Sequence, residues 1–329
     1  MGRDIVQRRD FLKSTTVLAL AGSVSGRLLA AGQSAFTVYG APAMPSVVIA
    51  AAALQGKLAK QMDVSLKIWR SPDQLRAGVA SGTFKVMMSP SNVGVNLRNQ
   101  GQKVGMVNIL TKGIIQLVCK NKSIASPQDL LGKRVIIPFK NDMPDIVFQA
   151  LLQKLRVDAS KVHVSYAPTP PEAVGLFLGK DFDAMLVPEP LASASILKGK
   201  TMGVNVVRGF DVTQAWGQAF GTKPVIPQAG LIADVDFFNS HRAQVELFHQ
   251  DLQAALSWVN ANRQSAAEIG KNYLPAPAPA IVQGIAFSNL TVSKGSELKH
   301  EIMHFYETLM RFNPRLLGGK MPDESFFLM

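Results

Sequence analysis

The chain of 329 residues is long enough for two domains with separate cores, and a content of 47% hydrophobic and 18% charged residues excludes an intrinsically disordered protein. The formal net charge is +12, but lysine and arginine are dispersed, without a run of five or more and without interleaved aromatic residues, which disfavours nucleic-acid binding. The single cysteine, Cys119, excludes an intramolecular disulfide, and its apolar surroundings at residues 114–119 predict a buried, unreactive thiol.

The N-terminal residues have the pattern of a secretory signal. The twin arginines of QRRDFLK, residues 7–13, precede a mildly apolar run at 14–24 and small residues at 30–32. This order of basic, apolar and small residues resembles the twin-arginine export signal of bacteria. The apolar run is too short, and too rich in Ser, Thr and Gly, to span a hydrocarbon core of about 30 Å. We therefore expect this segment to be removed on export, with cleavage between Ala31 and Ala35.

Short β-rich runs alternate with helical runs in the next part of the chain. Strands are predicted at 36–39, 64–68, 84–88 and 104–110, and helices at 47–60, 73–80 and 93–99. Because strands that are separated by helices must cross over the sheet to pair, this alternation predicts parallel strands with right-handed connections.

A second series of the same kind begins at Ser126, a helix cap that is followed by Pro127 at the first helical position. Strands are predicted at 134–137, 162–166, 183–187 and 203–207, and helices at 143–155, 171–178 and 191–198. An apolar strand at 229–233 follows, and from there to the C-terminus only helices are predicted, interrupted by the proline-rich residues 275–279. Two α/β series followed by a helical end indicate a protein of two lobes.

Four segments carry a resemblance to a known family. They are Tyr39-Gly40-Ala41-Pro42, SPQDLLGKRV at 126–135, PPEAV at 170–174 and NPRLLGGKMPD at 313–323, in this order behind the export signal. Over essentially the whole mature region, the chain resembles the periplasmic solute-binding proteins of the nitrate, sulfonate, taurine and thiamine-precursor group. The resemblance implies the type II periplasmic-binding-protein-like fold, an α/β architecture with two lobes. Each lobe would hold a mostly parallel sheet flanked by helices, with a cleft between the two.

The resemblance also implies a division of the chain and a function. A signal peptide at 1–34 would be followed by the first part of lobe 1 at 35–114, lobe 2 at 115–226, and the second part of lobe 1, with the C-terminal helices, at 227–329. The implied protein is a periplasmic monomer without enzymatic activity and without a cofactor. It would bind a small polar organic solute, with an anion as one option, and deliver it to the permease of an ABC importer, whose ATPase subunit supplies the energy. No nucleic-acid partner is expected.

Ligand-binding residues are predicted from the position of loops in the fold. In open parallel sheets, ligands bind at the carboxyl ends of the strands, where helix N-termini offer unpaired N–H groups that suit anions and carbonyl groups. Together with Lys223, near the expected return to lobe 1, the residues selected are Ala41, Pro42, Met44, Pro45, Ser46, Trp69, Arg70, Ser89, Ser91, Asn92, Asn141, Asp142, Met143, Thr169 and Glu189.

Several of these residues also fit purely structural roles. Ser46, Ser91, Asn141 and Asp142 are typical helix caps, and Trp69 fits packing at a sheet edge. Capping alone would place such residues at the starts of helices, with or without a ligand.

The charge of the ligand stays open at this level. The cations Arg70, Lys140 and Lys223 favour an anion, whereas Asp142 and Glu189 favour an amine or another hydrogen-bond donor. A carboxylate in a closed, dry cleft costs several kcal/mol when it is unpaired, so either the two acids point to solvent or the ligand carries donors.

Two alternatives come from other classes of protein. The sequence His300-Glu301-Ile302-Met303-His304 matches the zinc-peptidase pattern H-E-x-x-H, with Glu301 as general base and Glu324 as a conceivable third ligand. The apolar positions of this helix leave both histidines on its polar face, which favours a solvated surface helix over a metal site. An enzyme of the thiamine-pyrimidine or menaquinone pathway would share the two-lobed fold. Such enzymes are cytoplasmic, and the pyrimidine synthases need a Cys-rich segment that this chain lacks.

Overall fold

The computed structural model describes residues 35–121 and 124–329, so the predicted export signal lies outside the described residues. Within these ranges the strands form two sheets. The first sheet contains β1 (Phe36–Gly40), β2 (Val64–Ile68), β3 (Val86–Pro90), β4 (Val104–Met106), β5 (Asn108–Thr111), β11 (Ala229–Asp234) and β12 (Leu290–Lys294). The second contains β6 (Ile115–Lys120), β7 (Arg134–Pro138), β8 (His163–Ala167), β9 (Ala184–Pro188) and β10 (Val206–Arg208).

Helices connect the strands and cover the sheets. They are α1 (Pro45–Gln55), α2 (Pro72–Ala80), α3 (Ser91–Asn99), α4 (Met143–Lys154), α5 (Pro170–Gly179), α6 (Leu191–Thr201), α7 (Val212–Phe220), α8 (Val235–Ser240), α9 (Arg242–Ala261), α10 (Arg263–Gly270), α11 (Ala278–Ile285) and α12 (Lys299–Phe312). Short 3₁₀ turns lie at Leu58–Lys60, Pro127–Leu130, Ala159–Lys161, Pro314–Leu317 and Glu324–Phe326. The α/β class and the two sheets flanked by helices are confirmed.

Most strands of each sheet run in one direction. The first sheet has the order β12-β5-β11-β3-β1-β2, with β4 paired to β11, and β1 is parallel to both β2 and β3. Strand β11 is antiparallel to β3, β4 and β5, and β12 is antiparallel to β5. The second sheet has the order β10-β6-β9-β7-β8, and only β6 among its described strands runs against the others. Strands β6 and β11 are the first strands after the chain passes from one sheet to the other. Each therefore runs opposite to most strands of its sheet.

Three elements differ from the sequence-based predictions. The single strand predicted at 104–110 is divided into β4 and β5, because the N–H of Val107 donates to the carbonyl of Leu231 between them. The prediction of helices alone after residue 233 is wrong, since β12 pairs with β5 across a register irregularity. Helix α7 was not predicted. Strand β12 is held by pairing to a strand about 180 residues away, which local periodicity does not report.

The end of the chain closes over the first sheet. Met106 forms a parallel bridge with Phe327, and its carbonyl accepts a 2.8 Å hydrogen bond from the N–H of Leu328. On the same lobe, α9 packs on α1, and the buried hydroxyl of Tyr306 on α12 donates to the carbonyl of Ser91. In the second sheet, Cys119 is fully buried on β6, and burial raises the pKa of its thiol, in keeping with the predicted unreactive cysteine.

Two passages of the chain connect the sheets, and they are hydrogen-bonded to each other. The first runs from β5 to β6, and the second leads from α7 into β11. The N–H of Ile226 donates to the carbonyl of Lys112 at 2.9 Å. Oε1 of Gln228 accepts from the N–H of Ile114 at 2.5 Å and of Ile115 at 3.4 Å. These hydrogen bonds join the two passages into one connecting region, which we call the hinge region.

We expect Gly230→Ala to destabilise the protein strongly, because a Cβ on this residue of β11 would overlap the carbonyl oxygen of Asn108 on the neighbouring strand. The overlap is with backbone, which cannot rotate away, so the free energy of unfolding should fall by about 3 kcal/mol. Gly175→Ala is the matched control, since a Cβ on this exposed residue of α5 meets open space. It should leave stability unchanged or raise it by up to about 1 kcal/mol. Urea unfolding followed by circular dichroism measures both, and equal effects of the two substitutions would contradict this account.

Candidate functional site

A cleft lies where the loops of the two sheets face each other. It contains about 810 Å³ of empty space, including its mouth. Its walls come from the loops that follow β1, β2 and β3 of the first sheet and β7, β8 and β9 of the second. The lining residues are Ala41, Pro42, Ala43, Trp69, Pro72, Leu75, Arg76, Met88, Ser89, Pro90, Val93, Ile114, Ile115, Phe139, Asp142, Met143, Pro144, Pro170, Pro188, Gln228 and Ala229. The cleft is therefore built from the carboxyl ends of strands, as the sequence-based rule for ligand sites requires.

The walls are apolar, and prolines make up a large part of them. Six prolines line the cleft, and three of these occupy the first or second position of a helix: Pro72 of α2, Pro144 of α4 and Pro170 of α5. Proline fits the first turn of a helix because its fixed φ is helical, but it carries no N–H. These three helices therefore begin at the cleft with fewer backbone donors than an ordinary helix offers.

One pair of charged residues bridges the cleft. Arg76 projects from α2 on one side, and Asp142 precedes α4 on the other, with 4.0 Å between Nη2 and Oδ2. Oδ1 of Asp142 also caps α4 by accepting from the N–H of Met143 at 3.0 Å. Burial raises the pKa of Asp142, the Met143 hydrogen bond and the charge of Arg76 oppose this shift, and Asp73 adds to it. The guanidinium of Arg76 also lies 3.8 Å from Oδ1 of the exposed Asp73, so it compensates both carboxylates.

The remaining polar groups of the lining are mostly hydrogen-bonded within the protein. Nε1 of Trp69 donates to the carbonyl of Met88 at 2.9 Å, and the hydroxyl of Ser89 donates to the carbonyl of Pro90 at 2.9 Å. Gln228, which is 2% exposed, uses Oε1 to accept from the hinge, while its Nε2 has no hydrogen-bond partner among the described residues. Nε2 of Gln228 is thus the buried donor that the lining leaves unused.

Six of the residues selected from the sequence line this cleft. They are Ala41, Pro42, Trp69, Ser89, Asp142 and Met143. They come from both sheets, so the rule based on strand ends brought together residues that are about 100 positions apart in the chain. Asp142 is the only one of the proposed caps at 46, 91, 141 and 142 whose side chain caps a helix.

Ten selected residues lie outside the lining. Met44, Pro45 and Ser46 are buried at the start of α1, where the hydroxyl of Ser46 donates to the carbonyl of Ala41 at 2.5 Å. Ser91 and Asn92 are buried at the start of α3, and Oγ of Ser91 and Oδ1 of Asn92 lack partners within the described part of the chain.

Three further polar residues that were selected from the sequence but lie outside the lining make local hydrogen bonds. Arg70 and Asn141 are exposed, and their N–H groups donate to side chains one helical turn ahead, Gln74 and Asp145 respectively. Thr169 caps α5 through the N–H of Glu172.

Glu189 takes neither of the two positions considered from the sequence. It is 0% exposed, and its Oε1 lies 2.6 Å from Nη2 of Arg208. The N–H and hydroxyl of Ser193 also donate to its carboxylate. The charge of Glu189 is therefore compensated within the protein, where a buried carboxylate is stable because it is paired and fully hydrogen-bonded.

Lys223 lies in a different pocket, together with the H-E-x-x-H residues His300, Glu301 and His304. Its Nζ is 3.2 Å from Oε1 of Glu301, and the lining of the cleft does not include it. Glu324, considered as a third metal ligand, pairs with Lys299 instead. Across residues 35–121 and 124–329, no group of three or more His, Cys, Asp or Glu side chains is placed to hold a metal ion.

The lining residues that the sequence analysis did not select are mainly apolar or belong to helices. Pro72, Leu75 and Arg76 lie on one face of α2, where the spacing of three and four residues could have indicated them. Gln228 precedes a predicted strand. The rule that places ligands at the carboxyl ends of strands therefore does not select it. Phe139 has a positive φ of 58°, which the sequence does not reveal.

No protein-family model matches the sequence, and no curated protein sequence matches it. Solved structures do match. An ABC transporter protein from Parabacteroides distasonis is 18% identical, with a TM-score of 0.74, over 90% of this chain and 99% of that chain. The periplasmic aliphatic sulphonate binding protein SsuA from Escherichia coli is 16% identical, with a TM-score of 0.69, over 90% and 92%. A Candida albicans gene product described as having the generic periplasmic binding protein structural fold is 13% identical, with a TM-score of 0.58, over 90% and 94%. The chain therefore has the two-lobed periplasmic binding protein fold.

Proposed function

We propose that the protein is the substrate-binding component of an ABC importer: it binds a small organic solute outside the cytoplasm and delivers it to the permease. The observation that carries this proposal is the cleft between two sheets that are connected through one hinge region at Gln228. Support also comes from similar structures, which include an ABC transporter protein and a periplasmic sulphonate-binding protein. The importer's ATPase subunit would supply the energy, and the binding protein would act as a monomer.

The residues of the cleft favour binding over catalysis. The ionisable side chains of its lining are Arg76 and Asp142; Arg76 lies 4.0 Å from Asp142 and 3.8 Å from Asp73 on its own helix. A general acid or base needs a side chain that is free to exchange a proton with the substrate. A site whose acid and base are already paired is suited to hold a molecule unchanged, which is what delivery to a permease requires.

Closure of the cleft would make the bound state recognisable to the permease. A ligand shifts the lobes only to the extent that it prefers the closed form. Arg76 and Asp142 are on opposite walls, so their 4.0 Å approach exists only while the walls are close. A partly exposed ion pair of this length contributes little, typically below about 1 kcal/mol, so the ligand itself would supply most of the preference for closure.

Export by a twin-arginine-type signal at residues 1–34 completes the proposal, with the periplasm as the site of action. No helix of the described residues is sufficiently long and apolar to cross a bilayer. Mass measurement of the protein recovered from the periplasm of the cells that make it should show a new N-terminus between Ala31 and Ala35. An uncleaved protein found in the cytoplasm would contradict this assignment.

A substitution that fills the cleft should abolish ligand binding. We expect Ala43→Trp to occupy the space of a ligand, because Ala43 is a half-buried residue of the lining. Ala219→Trp is the control, since Ala219 is a half-buried alanine that lines another pocket, beside Phe210 and Gln214. Native mass spectrometry of protein purified from its own cells should show a bound small molecule in the wild type and in Ala219→Trp, but not in Ala43→Trp. If no small molecule is bound to the wild type and none compacts it in solution scattering, the transport function is wrong.

Asp142→Asn should alter the pH dependence of stability. The pKa of Asp142 is raised in the folded protein, so ionising this carboxyl lowers stability as the pH rises from about its ordinary pKa of 3.8 towards neutrality. Asparagine keeps the capping oxygen but does not ionise. The urea midpoint of Asp142→Asn should therefore rise relative to the wild type as the pH increases. Asp63→Asn, at an exposed aspartate outside the lining of the cleft, is the control and should show no such trend.

A further inference from the structure

Three features of the cleft restrict the chemistry of its ligand, and the first is the balance of charge. Arg76 and Asp142 are the charged residues of the lining, and they face each other. An anionic ligand would have to displace Asp142 from Arg76 and then lie beside a buried carboxylate. A cationic ligand would meet the reverse problem with the guanidinium. A ligand ion of either sign would lose part of its hydration in the cleft without gaining an uncompensated partner, which is unfavourable.

The second feature is the reduced number of backbone donors at the helix N-termini. Anions bind at helix starts through unpaired N–H groups. At α2, α4 and α5 a proline removes one of these groups, and a capping side chain occupies another: Ser71, Asp142 and Thr169 accept from the N–H of the residue at 74, 143 and 172 respectively. At α3, the N–H of Ser91 donates to the carbonyl of Gln228. At each of these four helix starts, at least one of the backbone donors is thus absent or occupied.

The cations that favoured an anion in the sequence lie elsewhere. Arg70 is exposed and outside the lining, and Lys223 pairs with Glu301 in another pocket. The Nζ of Lys140 lies 5.3 Å from the centre of the Tyr166 ring, in a cation–π arrangement. Although the chain has a net charge of +12, the described lining residues include no cationic side chain that lacks a carboxylate partner.

The third feature is the unused donor of Gln228. Its orientation is fixed, because Oε1 must face the N–H groups of Ile114 and Ile115. Nε2 is then left without a partner at a residue that is 2% exposed and lines the cleft. A buried amide without a partner costs about 1–3 kcal/mol, so a ligand atom that accepts from it would be favoured.

We propose that the cleft takes an uncharged organic molecule with a largely apolar body and one hydrogen-bond acceptor, such as a carbonyl oxygen, which accepts from Nε2 of Gln228. This inference rests on the proposed transport function and narrows its ligand. The proposed ligand differs from the polar solute, with an anion as one option, that the sequence led us to expect. It also separates this chain from the sulphonate-binding protein whose fold it shares, because a shared fold does not fix the ligand.

Three probes that share one phenyl ring test the charge of the ligand. Acetophenone carries a carbonyl acceptor and no charge, whereas benzoate and benzenesulfonate are anions. Isothermal titration of the ligand-stripped protein should give a Kd for acetophenone at least about tenfold below that of either anion, equivalent to about 1.4 kcal/mol. An anion that binds as tightly as the ketone overturns the proposal but leaves the transport function intact.

The molecule that co-purifies with the protein decides the case in which no probe binds. The protein is purified from the cells that make it, and the small molecules it releases are analysed by mass spectrometry in both ion modes. We expect the enriched molecule to be uncharged at neutral pH. A sulfonate, carboxylate or amine enriched on the protein overturns the proposed ligand class alone. The absence of any enriched molecule, together with no compaction by any probe, overturns the transport function and the ligand class with it.

Gln228→Glu tests the role of the amide. Glutamate keeps an oxygen for the N–H of Ile114 but replaces the donor with an acceptor, so the affinity for the ketone should fall by at least about tenfold. Gln218→Glu makes the same change at an exposed residue outside the cleft and should leave the affinity unchanged. Equal ketone affinities in the two folded variants would contradict the assigned donor. If Gln228→Glu does not fold, the comparison of probes on the wild type still decides the class of ligand.

Discussion

The cleft depends on the way in which Gln228 joins the two passages between the sheets. Its side-chain oxygen accepts from Ile114 and Ile115 on the first passage, and its backbone carbonyl, on the second passage, accepts from Ser91 at the start of α3. Both passages and one cleft-facing helix therefore make hydrogen bonds with this one buried residue. Because the hinge is also part of the lining, a ligand that contacts Gln228 touches the point about which the lobes would move.

Charge within this molecule is compensated locally, and this determines the character of the site. Glu189 is fully buried, yet it is paired with Arg208 and accepts from Ser193, so its charge is not available to a ligand. Arg76 and Asp142 bridge the cleft in the same way, although more weakly at 4.0 Å. Removing Arg208 would leave the buried carboxylate of Glu189 uncompensated, which costs more than the pair itself contributes. The walls are thus electrically neutral even though the whole chain is strongly basic.

The sequence was sufficient for the α/β class and for the loops that form the cleft, because both follow from local periodicity. Six selected residues line the site, since strand ends are predictable even where contacts are not. What could not be predicted depends on partners that are distant in the chain. Lys223 was assigned to the cleft without knowledge of Glu301, 78 positions away, and β12 is defined by its pairing with β5. Neither partner leaves a signal in the local sequence.

The same loops show why a shared fold leaves the ligand open. Helix N-termini at a cleft can bind an anion only if their N–H groups are present and unpaired. In this chain Pro72, Pro144 and Pro170 remove such groups, while the residues before the helices cap others. The same backbone geometry is compatible with different hydrogen-bonding capacities, because the residues at each helix start set how many N–H groups remain for a ligand. The residue types at helix starts therefore affect which ligands the cleft can bind, in addition to the architecture.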